Sequence, residues 1–455
     1  MLKLIPSPGP LRGVLSVPGD KSVSHRAVML GSLADGDTVI SGFLESADCL
    51  STIGCFRSLG TEISTSGAGY LTVHGQGLRG LKPEADPAIL YTGNSGTTTR
   101  IMAGILSAQS FGSVLTGDRS VNSRPMKRII DPLTRMGASV TSIDDNNCAP
   151  LMIHGAQLHG ITYRSPVASA QVKSCILLAG LYADSPVTVI EPVLSRDHTE
   201  RMLRAFGADI TTVRMDDGYH ITVNPCSRLS PVQVAVPGDI SSAAYFIAAA
   251  LMVPDSDIVL KNVGINPTRD AFIRALRLMG ADIELLPEGP EKAPSAGEDP
   301  DFLSSSAGEP SADLRIRYSH LTGAEIGGGL IPAMIDELPV LAVAASAAEG
   351  KTVIRDAAEL RVKESDRISA VTEGLSAMGA DIEATDDGFV INGKGGRSSL
   401  RGASIRCRSD HRIAMSFAVA SLAAEGETVL DDETCVRISY PDFFRDLESL
   451  IPGNP

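Results

Sequence analysis

The chain has 455 residues, 43% of them hydrophobic and 21% charged, with a formal net charge of −14. That length predicts two or three domains, the composition is that of a globular protein, and the negative charge argues against nucleic acid as a bulk partner. No apolar run approaches the roughly 20 residues of a membrane span, no basic-then-apolar leader opens the chain, and seven scattered cysteines without a CxxC pair read as reduced thiols. A cytoplasmic protein without a membrane or nucleic-acid partner is therefore expected. Anionic small molecules stay possible, because a local cluster of Arg and Lys can dominate the field inside a cleft.

In chain order, the first predicted helix is opened by Gly19-Asp20-Lys21-Ser22-Val23-Ser24-His25-Arg26 and carries Val23, Ala27, Leu30 and Ala34 on one stripe. The strand DTVISG, the phrase SLGTEI around Gly60 and the strand YLTVHG follow it. Gly93-Asn94-Ser95-Gly96-Thr97 opens the next helix, ahead of GSVLTGD, RMGASV around Gly137 and PLMIHG. Ser169-Ala170-Gln171 opens a third, with Val172, Ile176, Ala179 and Ala183 as its stripe, then VTVIEP, AFGADI around Gly207 and YHITVN. A fourth carries Ile240, Ala244, Ile247 and Leu251, followed by DIVLKN, LMGADI around Gly280 and LRIRYS. KTVIRD, AMGADI around Gly379 and FVING form a fifth copy, and Asp410-His411-Arg412 opens the last, with Ile413, Phe417, Ala420 and Ala424, before ETVLDD. In each recurring phrase, Gly supplies the left-handed position just past a helix, and the β-branched residues after it begin a strand.

The unit thus reads helix–strand–helix–strand–strand, about six times at a period of about 75 residues, with the last copy cut short near Pro455. That period is long for a solenoid. The phrase VPGD also occurs twice, at Val17–Asp20 and Val236–Asp239, which points to two similar halves with crossovers at those turns. Pro287–Ala312, rich in Pro, Ser, Gly and acids, reads as a mobile surface insertion without an assigned function.

The helix starts carry most of the candidate chemistry. Backbone N–H groups and small hydroxyl residues at a helix N-terminus make an anion site, whereas Ser, Thr and Asp there also serve as plain caps. Lys21 and Arg26, with Arg412 in the equivalent place, weigh toward the anion site. Arg124, Arg196, Lys363 and Arg367 stand in turn-like contexts, where a guanidinium suits bidentate carboxylate or phosphate binding and surface solvation is the plainer alternative. RVKESDR reads as an exposed helix start with Lys363 and Arg367 at i,i+4. Among the acids, Asp336 in MIDELP is either a helix cap or a functional carboxylate, with Glu337 and Glu364 beside the cations. Walker A and dinucleotide-binding spacings are absent, and His25, His154, His159 and His411 lack partners at a metal spacing.

VPGDKSVSHR, GNSGTTTR, SRPM, SAQVKS, SRDHTE, PGDISSAA, MIDELPVLAVAA, ELRVKESDR, DHRIAMSFAVA and SYPDFF resemble, in order and along essentially the whole chain, the signature series of EPSP synthases. SAQVKS and RVKESDR resemble the bacterial second class of that family. The resemblance implies an α+β fold, a two-domain inside-out α/β barrel of six βαβαββ repeats, three per domain. One lobe would be residues 1–18 plus 238–455, with the insertion at about 287–312, and the other 19–237, the active site lying in the cleft between them. It implies a monomer that transfers the enolpyruvyl group of phosphoenolpyruvate to the 5-hydroxyl of shikimate 3-phosphate, without cofactor or metal.

Carried over residue by residue, Lys21, Ser22, Arg26, Ser169, Gln171, Arg196, Asp336 and Lys363 would hold shikimate 3-phosphate. Lys21, Gly96, Arg124, Gln171, Arg367 and Arg412 would hold phosphoenolpyruvate. Lys21, Asp336 and Glu364 would be catalytic, with Glu364 protonating the methylene and Asp336, helped by Lys21, taking the hydroxyl proton. Many relatives have a Lys just before the SYPDFF-like segment, where this chain has Ile438 or Ser439, so that cation is not transferred. By the same resemblance, Gly96 implies sensitivity to glyphosate, since in that family a larger residue there is associated with escape from the inhibitor. The sister transferase acting on UDP-N-acetylglucosamine usually has a reactive Cys where this chain reads Asp118-Arg119-Ser120-Val121-Asn122-Ser123-Arg124. A non-catalytic two-lobed anion binder would not need Asp336 and Glu364 beside the cations, and an RNA-end-modifying relative of the repeat fold is disfavoured by the net charge.

Overall fold

The computed structural model describes residues 1–7, 9–286, 307–395 and 400–451. The chain divides into two units, one of Met1–Pro18, Gly238–Ala293 and Ser311–Pro455, the other of Gly19–Pro237 and Pro294–Pro310.

In the unit built on Gly19–Pro237 one arrangement occurs three times. Asp35–Ser41 lies between a parallel neighbour, Gln233–Ala235, and an antiparallel one, Tyr70–Gln76, with Glu62–Gly67 at the edge. Gly112–Thr116 lies in the same way between Ala88–Tyr91 and Leu151–His154, with Ser139–Ser142 at the edge. Val187–Glu191 lies between Thr162–Arg164 and Gly218–Val223, with Ile210–Met215 outermost. A parallel pair needs a crossover, supplied here by the Gly96–Leu106 and Ala170–Gly180 helices, whereas the antiparallel pairs need only turns. The leading parallel strand was missing from the helix–strand–helix–strand–strand reading. It is only three or four residues long in each copy, too short for alternation to reveal.

The other unit repeats the plan. Asp257–Gly264 has Arg12–Ser16 parallel and Ser311–Arg317 antiparallel to it, and Glu349–Ile354 has Glu325–Ile326 and Gly388–Lys394. The last copy is split, with Leu400–Arg401 beside Ala424–Glu425 and Ser404–Ile405 beside Thr428–Leu430. The copy that runs out at the C-terminus is completed by the N-terminal strand Leu2–Leu4, antiparallel to Thr428–Leu430.

Six helices form the interiors: Lys21–Leu33, Gly96–Leu106 and Ala170–Gly180 in one unit, Ile240–Met252, Leu338–Ala347 and His411–Leu422 in the other. The residues expected on single stripes are buried, but so are the faces between them, and Ala34, Ala183 and Ala424 lie beyond the helix ends. Every residue of Ile240–Met252 is buried. A helix enclosed on all sides must be apolar or small all round. Gly104 shows how tight the fit is, since a Cβ there would lie 2.1 Å from the carbonyl oxygen of Cys175 on the neighbouring helix.

The five phrase glycines, at 60, 137, 207, 280 and 379, have φ of 85°, 95°, 88°, 90° and 83°, and each follows the end of a helix, as the sequence predicts. Residues 287–306 of the expected insertion lie outside the described residues. Residues 307–310, which the sequence reading places in that insertion of the first lobe, instead pack with the second unit. Among the described residues no helix is long and apolar enough to cross a membrane, and no group of three or more His, Cys, Asp or Glu is arranged to hold a metal ion.

Candidate active site

In the unit built on Gly19–Pro237, the candidate residues gather at the N-termini of the three interior helices and in the loop before the His198–Ala205 helix, with Arg124 between the Arg119–Asn122 and Lys127–Arg135 helices. Caps and candidates are different residues. Asp20 caps the first helix by accepting from the Val23 N–H at 2.9 Å, and Ser95 caps the second by accepting from Thr98 at 3.1 Å. Ser169 makes no side-chain cap on the third; its own N–H donates to Glu191 at 3.0 Å. Lys21 forms an ion pair with Asp48. Arg26 is 4% exposed, and its Nε donates to Thr199 at 2.7 Å, Nη2 to Ser174 at 2.8 Å and Nη1 to the Ser22 carbonyl at 2.9 Å. Burial lowers its pKa to about 10, so it keeps its charge at neutral pH.

Around Gly96 the positive charge is concentrated. A Cβ on Gly96 would come within 3.1 Å of both the Arg100 and Arg124 guanidinium tips. Arg124 donates to Asn94 at 2.8 Å and Ser120 at 3.0 Å, and Arg100 donates to the Gln171 amide oxygen at 2.7 Å. The Gln171 NH2 donates onward to Thr97 at 3.1 Å, tying the third helix start to the second. Burial, and then the charges of Arg124 and Arg128, lower the Arg100 pKa to about 10. Converging cations of this kind are unfavourable unless an anion joins them.

Two buried networks set these helix starts. His25 Nδ1 lies 2.7 Å from Thr52, Thr52 lies 2.7 Å from Thr98, and Thr98 donates to Ser95 at 2.7 Å, linking the first helix to the cap of the second. Burial holds the His25 pKa down at about 3, so the imidazole is neutral. Beneath the third helix, Lys173 pairs with Glu200 at 2.7 Å and Glu191 at 3.0 Å, and donates to the Ser195 carbonyl at 3.1 Å. Glu191 in turn accepts from the backbone N–H groups of Ser169 and Ser195. Desolvation opposes the Lys173 charge, but the two glutamates outweigh it and raise its pKa. The stretch carrying Arg196 is thereby fastened to the helix start carrying Ser169.

The other unit holds the second group. Arg367 is 1% exposed at the first position of the Arg367–Ala377 helix. Its Nε donates to Asp410 at 2.9 Å, Nη2 to Glu364 at 2.6 Å and Nη1 to Asp336 at 3.4 Å. Lys363 stands 3.7 Å from Asp336 and 3.0 Å from Glu359. The expected exposed helix start with Lys363 and Arg367 on one face is corrected here. Lys363 closes the short Ala358–Val362 turn in extended backbone, the helix begins only at Arg367, and carboxylates draw that guanidinium inward. Asp336 is no cap either: Glu337 occupies the cap position before Leu338–Ala347 and makes no capping bond, while Asp336 faces the cations.

Glu337 is a buried counter-ion, accepting from Ser241 and, at 3.5 Å, from Arg269. Arg412 donates to the Asp336 carbonyl at 3.1 Å and lies 3.7 Å from Glu337. Asp410 caps its helix by accepting from the Arg412 N–H at 3.0 Å. It is preceded by Arg408 and Ser409 at φ of 55° and 53°, left-handed backbone that non-glycine residues rarely adopt. Burial, then Arg412 and Arg367, lower the His411 pKa to about 3. Desolvation pushes Glu364 upward, but Arg367 overrides it and brings its pKa down to about 2.

A family model for EPSP synthase (3-phosphoshikimate 1-carboxyvinyltransferase) matches residues 5–447. The chain belongs to the EPSP synthase family. It is 51% identical over 449 residues to the 3-phosphoshikimate 1-carboxyvinyltransferase of Desulforudis audaxviator, covering 99% of each chain. It is 52% identical over 453 residues to that of a Synechococcus strain, covering 99% of this chain and 97% of the relative. Among solved structures, an EPSP synthase from Acinetobacter baumannii is similar at a TM-score of 0.87 and 44% identity, with 98% of this chain and 97% of that one covered.

Within this EPSP synthase family member, the sequence reading passed over several residues that shape the site. Arg100 sits inside the quoted GNSGTTTR but was left without a role, although it stands one helical turn from Gly96. Lys173, in SAQVKS, signalled itself as a charge in an otherwise apolar helix. Asp48, Glu191, Arg269 and Arg128 lie outside the family phrases, and only the tertiary structure brings them in.

Proposed function

We propose that this EPSP synthase family member performs the carboxyvinyl transfer for which the family is named, with its two groups of residues acting on one pair of bound anions. The reaction moves the enolpyruvyl group of phosphoenolpyruvate to the 5-hydroxyl of shikimate 3-phosphate and releases phosphate. Its physical demand is the joining of two anions that repel each other, so cations and helix N-termini must hold both in attack geometry. Such positioning is worth on the order of 7–11 kcal/mol of barrier.

In this reading Ser22, Arg26, Ser169, Gln171, Arg196 and Lys363 hold shikimate 3-phosphate. Arg124, Arg367 and Arg412 hold phosphoenolpyruvate, with Lys21 between the two and Arg100 adding charge at Gly96. The observation that carries the reading is the convergence of the Arg100 and Arg124 guanidiniums on Gly96, because planar guanidiniums gathered in one place suit an oxyanion. The hydroxyl oxygen attacks C2 of phosphoenolpyruvate, its proton passes to Asp336, and Glu364 protonates the methylene. The tetrahedral adduct then returns a methyl proton to the Glu364 carboxylate as its C–O bond to phosphate breaks, which restores the carbon–carbon double bond, and the departing phosphate takes the proton held by Asp336. The charged centre must exclude water during transfer, because open water would screen the charges and hydrolyse the intermediate. The absence of a side chain at Gly96, where a Cβ would crowd Arg100 and Arg124, keeps the chain sensitive to glyphosate. The protein acts as a cytoplasmic monomer without a nucleic-acid partner.

The sister reaction on UDP-N-acetylglucosamine is disfavoured, since no Cys occurs between Cys55 and Cys148. Asp336→Asn is expected to lower kcat about 10²–10⁴-fold, the usual contribution of a general base, with the fold intact by circular dichroism. Near-parental turnover in that variant would remove Asp336 from the role.

A further inference from the structure

Residues 307–310 stand apart in sequence from everything they touch. Ala307 is 6% exposed and belongs to the hydrophobic core of the unit built on Gly19–Pro237. The Gly308 carbonyl accepts from Arg201 Nη1 at 3.3 Å. Glu309 and His198 are each 2% exposed at the side chain, and the Glu309 carboxylate lies 2.9 Å from His198 Nδ1. A carboxylate buried this fully is costly unless it is paired, so the arrangement holds two chain segments together.

What it holds is the stretch that carries Arg196. Ser195 is bound to Glu191 and Lys173, Asp197 to Arg201, Thr199 to Arg26 and Glu200 to Lys173. His198, in the middle, is gripped by Glu309. Residues on both sides of Arg196 are therefore fastened by side chain or backbone, and Arg196 itself is partly exposed beside Arg26.

We propose that Glu309 is a positioning residue for the acceptor substrate, acting through His198 to set the placement of Arg196. This rests on the reading of Arg196 as a ligand of shikimate 3-phosphate. Glu309 touches no substrate. It fixes the Nδ1–H tautomer of His198 and the first turn of the His198–Ala205 helix, so that Arg196 meets the phosphate without first being ordered.

The test is steady-state kinetics of Glu309→Ala, Glu309→Gln and Arg196→Ala, with thermal unfolding of each. Glu309→Ala should raise KM for shikimate 3-phosphate about tenfold, the loss of one charged hydrogen bond, with kcat and KM for phosphoenolpyruvate within about twofold. Glu309→Gln, which keeps an acceptor for His198 Nδ1–H, should recover most of that loss and carries the test if the alanine variant fails to fold. A lowered Tm with both KM values unchanged would mean a purely structural contact and overturn the proposal. Arg196→Ala separates the two ideas. If it leaves KM for shikimate 3-phosphate unchanged, the reading of Arg196 fails and the proposal falls with it. If it raises that KM and the Glu309 variants do not, only the positioning role is overturned.

Discussion

Arg367 gives its guanidinium N–H groups to three carboxylates, Asp410, Glu364 and Asp336, at 2.9, 2.6 and 3.4 Å. The consequence falls on Glu364. With a pKa of about 2 it has no proton to give near neutrality, although the proposed role is to protonate the methylene. The low value is a balance in which desolvation pushes up and Arg367 pulls down further. An anion that draws Arg367 away reverses the balance, and the carboxyl takes up a proton as the site fills. Calorimetric titration of phosphoenolpyruvate onto the protein with shikimate 3-phosphate, in buffers of different ionisation enthalpy near neutral pH, should show net proton uptake that is smaller in Glu364→Gln. Equal uptake in the two proteins would remove Glu364 as the donor. Such pairings were hard to read beforehand. RVKESDR shows four charges around Glu364, but Asp410, the buried partner of Arg367, lies 43 residues on and looks like a plain cap. It is in fact both, capping its own helix while holding the arginine.

At the scale of elements, the interior helices decide what the site can be, because their starts present the candidate residues. Their positions were legible: the polar starts and most of the stripe residues lie where the sequence puts them, with Ala34, Ala183 and Ala424 just beyond the helix ends. Their environment was not, since a stripe of four apolar residues looks the same on a half-buried helix as on one enclosed all round. The discriminating signal was in the gaps of the stripe in ISSAAYFIAAALM, filled by small and apolar residues with no charge among them. The short leading strands were invisible for the opposite reason, as two to five residues carry too little period. Close helix packing predicts a cost at Gly104, where an added methyl would meet the Cys175 carbonyl and only backbone movement could relieve the clash. Gly104→Ala should destabilise by about 1–3 kcal/mol in urea unfolding. Gly54→Ala, inside the Ala47–Ser58 helix with nothing within 4 Å, should be neutral or stabilising by about 0.5–1 kcal/mol. A Gly104 variant as stable as the parent would contradict the enclosed-helix packing.

At the scale of the whole molecule, an acidic chain carries cations gathered at a few helix starts. Net charge governs solubility and bulk partners, whereas the local field governs the ligand. The sixfold repeat and the family phrases made the fold and chemistry legible together, because six of the phrases open the six interior helices and the other four open outer ones. What the repeat did not show is how the ends are joined. The strand Leu2–Leu4 completes the last copy, and Gln233–Ala235 completes the first copy of its unit. The central claim, that these starts bring phosphoenolpyruvate and shikimate 3-phosphate together for transfer, is tested most directly by phosphate release from phosphoenolpyruvate. Purified protein would be given shikimate 3-phosphate or UDP-N-acetylglucosamine in parallel. Release with shikimate 3-phosphate alone is the predicted result. Release with UDP-N-acetylglucosamine, or with neither acceptor from a protein that still binds both anions, would contradict the account.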